Sequence, residues 1–313
     1  PVHGSVLVDE IARSRSHARK SVDLNSDSPR SGDRGYAGRS AVYFAAGRSS
    51  RIDGGIRLYA LGLESGEVLH RRDVHLGPEV RGAGVIRQQA IPDVLSAQDG
   101  AVWMRGLGVD ENLQPVEDRP HLFAPRGFLD DTWWHRTYWL YGTKIGGGYS
   151  HWPLAGNVVP AGRLLVFDGG PRIYGYGRMT YQLGDGHVGP DATRDYRLFA
   201  ETLAPKAHVE ENAEDTGRRL RSRRRIVWTA QLQFVARSIV LARDALLVAG
   251  GRSLTETAER HGPGTFRVVS REDGTTREEC KLPVPPVLDG MAFADSGVFI
   301  STIDGSVVCI RTR

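Results

Sequence analysis

The sequence predicts an all-β fold, a β-propeller of four-stranded antiparallel blades, on three observations. Distant stretches repeat: AVYFAAGRS from Ala41 tracks ALLVAGGRS from Ala245, LYALGLESGE tracks FRVVSREDGT with Gly66 set on Gly274, and SVLV from Ser5 resembles SIVL from Ser238. Matched segments in one order define a unit of several short strands, which is what propellers repeat. The turns inside the copies read Glu-Ser-Gly and Glu-Asp-Gly, where glycine supplies the positive φ of a tight hairpin and Ser or Asp bonds its own backbone. Short apolar runs bounded by Gly, Asp and Pro then recur to the end with no long helical period.

Taken in order, Val2 to Val8 reads as a first strand. Residues 10–39 are rich in Ser, Arg, Asp and Gly, whereas the second copy needs only Ala242-Arg243-Asp244 at this point. They form an insertion whose composition predicts a disordered loop, because it cannot bury enough apolar surface to offset ordering. Ala41 to Val74 is a strand, a connection through Asp53-Gly54-Gly55, a second strand, the turn Glu64-Ser65-Gly66 and a third strand. Asp93 to Met104 is a hairpin turning on Asp99-Gly100; Gly108 to Pro120 is a polar excursion, and His121 to Pro125 a strand.

Phe128 to Gly142, FLDDTWWHRTYWLYG, is the most aromatic part, crowding Trp133, Trp134, Tyr138, Trp139 and Tyr141 onto one strand or strand pair. Asn157 to Asp168 and Arg172 to Gly177 pair around Asp168-Gly169-Gly170-Pro171, and Tyr196 to Leu203 is the next strand. Residues 204–225 are a charged loop ending in the basic run Arg218 to Arg225. Ile226 to Phe234 is expected to open the second copy. From Val287 to Arg313 three short strands flank turns at Asp295-Ser296-Gly297 and Asp304-Gly305. The tally is about five blades, which either close by themselves or belong to a larger ring of seven or eight.

The composition suits such a fold. Of 313 residues 40% are hydrophobic and 25% charged, enough for a substantial core, and 38 glycines serve many tight turns. The net charge is +4 and nearly all the positive charge is arginine, which is either a solvated surface or a surface for acidic polymers. Cys280 and Cys309 form no CxxC, so neither a zinc site nor a redox pair is indicated; a single disulfide remains open. No apolar run reaches the roughly eighteen residues of a membrane-spanning helix. The chain opens on PVHGSVLV without an initiator Met, and is expected to be a fragment or processed form.

LYALGLESGEVLHRRDV, FRVVSREDGTTREEC and MAFADSGVFISTIDGSVVCI resemble repeats of the pyrroloquinoline-quinone (PQQ)-like β-propeller superfamily, whose usual form is an apolar strand, "ALD-x-x-TG", then a strand ending near Trp. AVYFAAGRSSRIDGGIRLYAL with FLDDTWWHRTYWLYG and GRLLVFDGGPRIYGYGR is similar to large bacterial, planctomycete-type repeat proteins of that superfamily. The resemblance covers nearly the whole chain outside residues 10–39 and implies an exported, periplasmic protein. Its quinoprotein dehydrogenases carry PQQ with calcium, a vicinal disulfide and a catalytic aspartate; its outer-membrane assembly scaffold binds no cofactor. This chain departs from the dehydrogenases in having no adjacent cysteines, and the positions expected to hold Asp and Trp are Gly62 and His70 in the first copy, Ser270 and Glu278 in the second.

Chemistry points to one constellation, Asp130, Asp131, Trp133, Trp134, His135 and Arg136. Adjacent carboxylates hold a hard cation or act as a base, an imidazole relays a proton, and tryptophan faces stack on a quinone or sugar ring. On a strand, Asp131, Trp133 and His135 take one face and Thr132, Trp134 and Arg136 the other, which fits packing between blades equally well. Arg48 and Arg252, repeated in Gly-Arg-Ser, either line a rim that binds anions or tether loop carbonyls; Trp152 beside His151 is a further ligand-binding candidate. The leading expectation is a scaffold that is not independently catalytic and binds a protein partner or small ligand at its rim. The alternatives are a PQQ- and calcium-dependent oxidoreductase using Asp130 or Asp131 and Trp134, and, less favoured, polyanion or nucleic-acid binding by the arginine-rich loops.

Overall fold

Alternating apolar runs become strands, and each strand pairs antiparallel with the next in sequence. The computed structural model describes residues 6–9, 41–47, 55–74, 94–123, 138–142, 156–167, 169–181, 195–203, 224–242, 244–252, 262–294 and 297–311. The insertion at 10–39, most of the charged loop at 204–225 and the aromatic stretch before Tyr138 lie outside them. The chain forms two compact units.

The first unit holds β1 (Val6–Asp9), β2 (Ala41–Ala46), β3 (Ile56–Gly62) and β4 (Val68–Val74) as one sheet in sequence order. It also holds the sheet β5 (Ser96–Gln98), β6 (Ala101–Met104) and β7 (Leu107–Val109), with β8 (His121–Phe123) alongside β5 and β6. β2 is buried at every second residue, and that face (Tyr43, Leu58 and Ile56 among it) packs on Leu95, Val102, Met104 and Leu113 of the second sheet. β7 falls where a polar excursion was expected: Leu107 and Val109 are the only apolar residues of a short strand. The turn at Asp99-Gly100 has φ of 51° and 72°, the two left-handed residues that a two-residue hairpin of right-handed twist needs.

The second unit holds the pair β9 (Trp139–Gly142) and β10 (Ala161–Gly162) and three sheets. These are β11 (Leu164–Phe167), β12 (Arg172–Arg178), β13 (Tyr196–Thr202) and β14 (Ile226–Ala230); β15 (Val235–Ala242), β16 (Ala245–Gly251), β17 (Gly264–Ser270) and β18 (Thr276–Leu282); and β19 (Pro286–Ala294), β20 (Gly297–Thr302) and β21 (Val307–Arg311). β16 is buried at every position because its sheet lies between the other two. Leu246 and Val248 meet Tyr174, Leu198 and Trp228 on one side, while Leu247 and Ala249 meet Met291, Val298 and Ile300 on the other. The first strands of successive sheets are neighbours, β1 with β5 in one unit and β11 with β15 and β15 with β19 in the other. Antiparallel meanders fanned from their first strands are propeller blades. The fold is all-β, of the β-propeller type.

The two copies correspond in detail. Ala41 pairs with Gly62 as Ala245 pairs with Ser270. Gly62 N donates to Glu67 O (2.9 Å) and Gly66 N to Gly62 O (2.8 Å), while Ser270 N donates to Thr275 O (2.8 Å) and Gly274 N to Ser270 O (3.0 Å). Gly66 and Gly274 take φ of 70° and 76°, where a Cβ would strain the backbone.

Two expectations need correction, and the state of the cysteines, left open by the sequence, is given. Ile226 to Phe234 does not open the second copy: β14 closes the preceding sheet, and the copy begins at β15, because Gln231 and Gln233 break the apolar run into a turn. The strand expected from Asn157 to Asp168 is interrupted: residues 156–158 make one helical turn, held by Asn157 Nδ2 to Tyr181 O (2.6 Å) and Tyr181 N to Asn157 Oδ1 (3.0 Å). Cys280 and Cys309 are free and exposed, on strands of different sheets.

Candidate functional site

The described residues with most chemistry lie where β15 meets the start of β19. Arg237 is buried, and its Nη1 donates to Pro286 O (3.2 Å); Ser238 Oγ donates to Val287 O (3.2 Å). These bonds fasten the two first strands. There β19 leaves its ladder: Pro286 pairs with Thr302 and Met291 with Ile300, so Val287 to Gly290 stand against Ser301 alone. Bulges of this kind re-aim a side chain. Asp289 sits in it at φ 54°, a conformation that Asp tolerates better than most residues.

The Asp289 carboxyl is crowded by surrounding protein although the residue as a whole is solvent-accessible. Desolvation pushes it up to about 6, with the cation of Arg163 pulling the other way. A carboxyl poised in this range can carry a proton or a hydrogen bond to a ligand at neutral pH. The folded state holds the proton more tightly than the unfolded chain, so stability falls as pH rises from about 4 to about 6 and stays lower above. Asp289→Asn keeps the left-handed turn and removes the charge. It is expected to raise the melting temperature at about pH 7.5 and to give no gain near pH 4, read by thermal unfolding at both. Solvent access limits the size of the gain, not its direction.

Of the residues singled out from the sequence, Asp130, Asp131, Trp133, Trp134, His135, Arg136, Arg48 and Trp152 lie outside the described residues. Arg252 is described and is exposed just past the end of β16. Of the run Arg218 to Arg225 only its last two residues are described: the Arg224 side chain is fully buried against Glu201 (2.9 Å), whereas Arg225 is exposed. Arg224 is therefore a structural charge.

Trp228 of β14 lays its indole on the turn of the next sheet, where a Cβ on Gly274 would lie 2.5 Å from Cε3, and its Nε1 donates to Arg271 O (3.0 Å). One sheet thereby locks onto the next through a glycine turn. No protein-family model matches the chain, and no curated protein matches it. Among solved structures it is similar to the crystal structure of BamB from Moraxella catarrhalis, at 10% identity over 87% of this chain and 67% of that chain, with a TM-score of 0.40. At that distance no role passes from one protein to the other.

In the first unit, His121 is fully buried and its ring stacks on Trp103, with centroids 3.8 Å apart. Its Nδ1 lies 2.7 Å from Arg119 O and its Nε2 2.6 Å from Arg105 O. Burial pushes the imidazole below its ordinary value, while the two carbonyls pull it up. This histidine ties β8 to the β6–β7 turn and has no path to solvent, so its role is in packing.

The residues named for a calcium-dependent quinone, Asp130, Asp131 and Trp134, lie outside the described residues. Among the described residues no three His, Cys, Asp or Glu side chains gather as a metal site, and Asp289 faces a guanidinium rather than a second carboxylate. Sequence reasoning missed Asp289, Glu201 and His121. Nothing local distinguishes them; each matters because strands distant in sequence meet around it.

Proposed function

We propose that residues 1–313 belong to a single β-propeller domain of the PQQ-like superfamily, of the planctomycete-type group, acting as an exported, periplasmic scaffold that is not independently catalytic. Its ligand, a protein partner or small molecule, is received at the rim by Arg48, Arg252, Trp133, Trp134, Arg136 and Trp152. The observation that carries this reading is the docking of Trp228 on the Gly274 turn: buried polar contacts here join blade to blade, leaving an exposed residue such as Arg252 for binding. A rigid frame presenting variable rim residues is how scaffolds separate stability from recognition.

The competing reading is a quinone- and calcium-dependent dehydrogenase with Asp130, Asp131 or His135 at the reacting centre. Incubation with PQQ and Ca²⁺ separates the two. The scaffold is expected to show no change in quinone absorbance and no rise in melting temperature at saturating ligand, and a rise of several degrees overturns it. Binding of heparin with a steep salt dependence would instead favour the arginine-rich loops, though burial of Arg224 removes one charge from that surface.

A further inference from the structure

His121 meets two acceptors with one ring. Its Nδ1 lies 2.7 Å from Arg119 O and its Nε2 2.6 Å from Arg105 O, and the residue is fully buried. A neutral imidazole carries one N–H and one lone pair, and a backbone carbonyl only accepts. Either neutral tautomer therefore presses a ring lone pair against a carbonyl oxygen at one of these two distances. Turning the ring over does not relieve this, because ring carbons would then meet the carbonyls well inside the roughly 3.3–3.6 Å of a C–H···O contact. The imidazolium donates from both nitrogens and satisfies both partners, and bonds this short are those of a charged donor.

The neighbouring ring points the same way. His121 and Trp103 lie 3.8 Å apart between centroids at 11°, nearly face to face. Two neutral aromatic rings avoid that overlap in favour of offset or edge-on packing, whereas a cation is drawn to an indole face. Charged groups around the ring are few. β5 to β8 hold no other ionisable side chain, and Asp99 and Arg105 belong to the turns between them. Burial, the largest influence, and the Arg119 guanidinium oppose the proton, while the Arg119 and Arg105 carbonyls and Asp118 favour it. Arg119 directs its Nη2 to Asp99 O (2.9 Å). Two short bonds and the indole face outweigh burial here, because a neutral ring would leave a buried lone-pair conflict in their place.

We propose that His121 is an imidazolium in the folded protein at neutral pH, a proton-loaded clamp that fastens the β6–β7 turn to the residues entering β8 and releases them when the proton is lost. Arg105, with φ of 55° in the two-residue turn from Met104 to Leu107, presents one carbonyl. Arg119, at the end of the excursion between β7 and β8, presents the other. The same excursion is held at its middle by Arg72, whose Nη1 donates to Leu113 O (3.1 Å). The ring has no path to solvent, so its proton leaves as β8 lifts from the turn, and titration and local opening are one event. The folded chain then holds this proton more tightly than the unfolded chain. The clamp's contribution is fully present below about pH 6.5 and is lost as pH rises through the folded value.

Ring-nitrogen resonances of the whole chain, labelled with ¹⁵N-histidine, test this, with His121 assigned by its loss in His121→Gln. Both nitrogens are expected to carry protons at pH 7, where exposed histidines are largely neutral. A single protonated nitrogen at pH 7 overturns the proposal. Should His121→Gln not fold, contacts from the ring to Trp103 give the assignment in the wild type. Urea unfolding followed within the first unit supplies the second reading. His121→Gln keeps one donor and carries no charge. Relative to it, the wild type is expected to lose about tenfold in folding equilibrium constant between pH 6 and pH 9. A difference that stays flat or grows with pH overturns the proposal, since burial would then have won and the ring would be neutral.

Discussion

Arg224→Met is expected to destabilise the second unit by about 3–5 kcal/mol at neutral pH, and Glu201→Gln by a similar amount. The pair is cut off from water, with side-chain exposures of 0% and 2% and a separation of 2.9 Å. Arg224 also donates from Nη1 to Arg178 O (2.9 Å) and lies over the ring of Phe199, 4.4 Å from its centroid. Removing either partner leaves the other charge buried without its counterion, which is the costly case. The two variants differ in how they respond to acid. Burial already raises the Glu201 carboxyl above its ordinary value, with Arg224 opposing the rise. Without Arg224 the carboxyl rises further and is relieved by taking up a proton. The deficit of Arg224→Met relative to wild type should therefore shrink as pH falls from about 7 to about 4.5, while that of Glu201→Gln, which strands a guanidinium, should not. Urea unfolding followed by a probe within the second unit at both pH values reads this; equal deficits throughout would mean that the pair contributes by packing alone.

How much of this was open to sequence reasoning depends on range. Turns were legible because their chemistry is local: Asp99-Gly100, Gly66, Gly274 and Gly305 all take the positive φ that their position requires. The repeat was legible because Ala41 and Ala245 head strands with the same register. Boundaries between sheets were not, since β14 and β15 are both apolar and only pairing says that one closes a blade and the other opens the next. The site was least legible. Arg224 sits in a run of arginines and only its depth beneath β13 separates it from Arg225, while Asp289 resembles any turn aspartate until Arg237 and Ser238 are seen tying down the strand beneath it. Residue type announces candidates; burial assigns them.

Trp228→Ala is expected to cost about 3–5 kcal/mol, the loss of a large buried aromatic together with its hydrogen bond. The indole packs on Tyr174 at 6.3 Å between centroids and spans the gap to the next sheet, so its loss weakens the contact between blades as well as the core of one. Gly274→Ala attacks the same joint from the other side. A methyl group there meets Trp228 Cε3 at 2.5 Å and must also adopt φ 76°, so about 1–3 kcal/mol is expected. The two costs should not add. With the indole gone, the clash at Gly274 disappears and only the left-handed backbone remains, about 1 kcal/mol. Trp228→Ala combined with Gly274→Ala should therefore be less destabilised than the sum of the singles, by about 1 kcal/mol or more in a double-mutant cycle read by urea unfolding. Strict additivity would show that indole and turn are neighbours without being coupled, and that the blades are held together by their apolar faces alone.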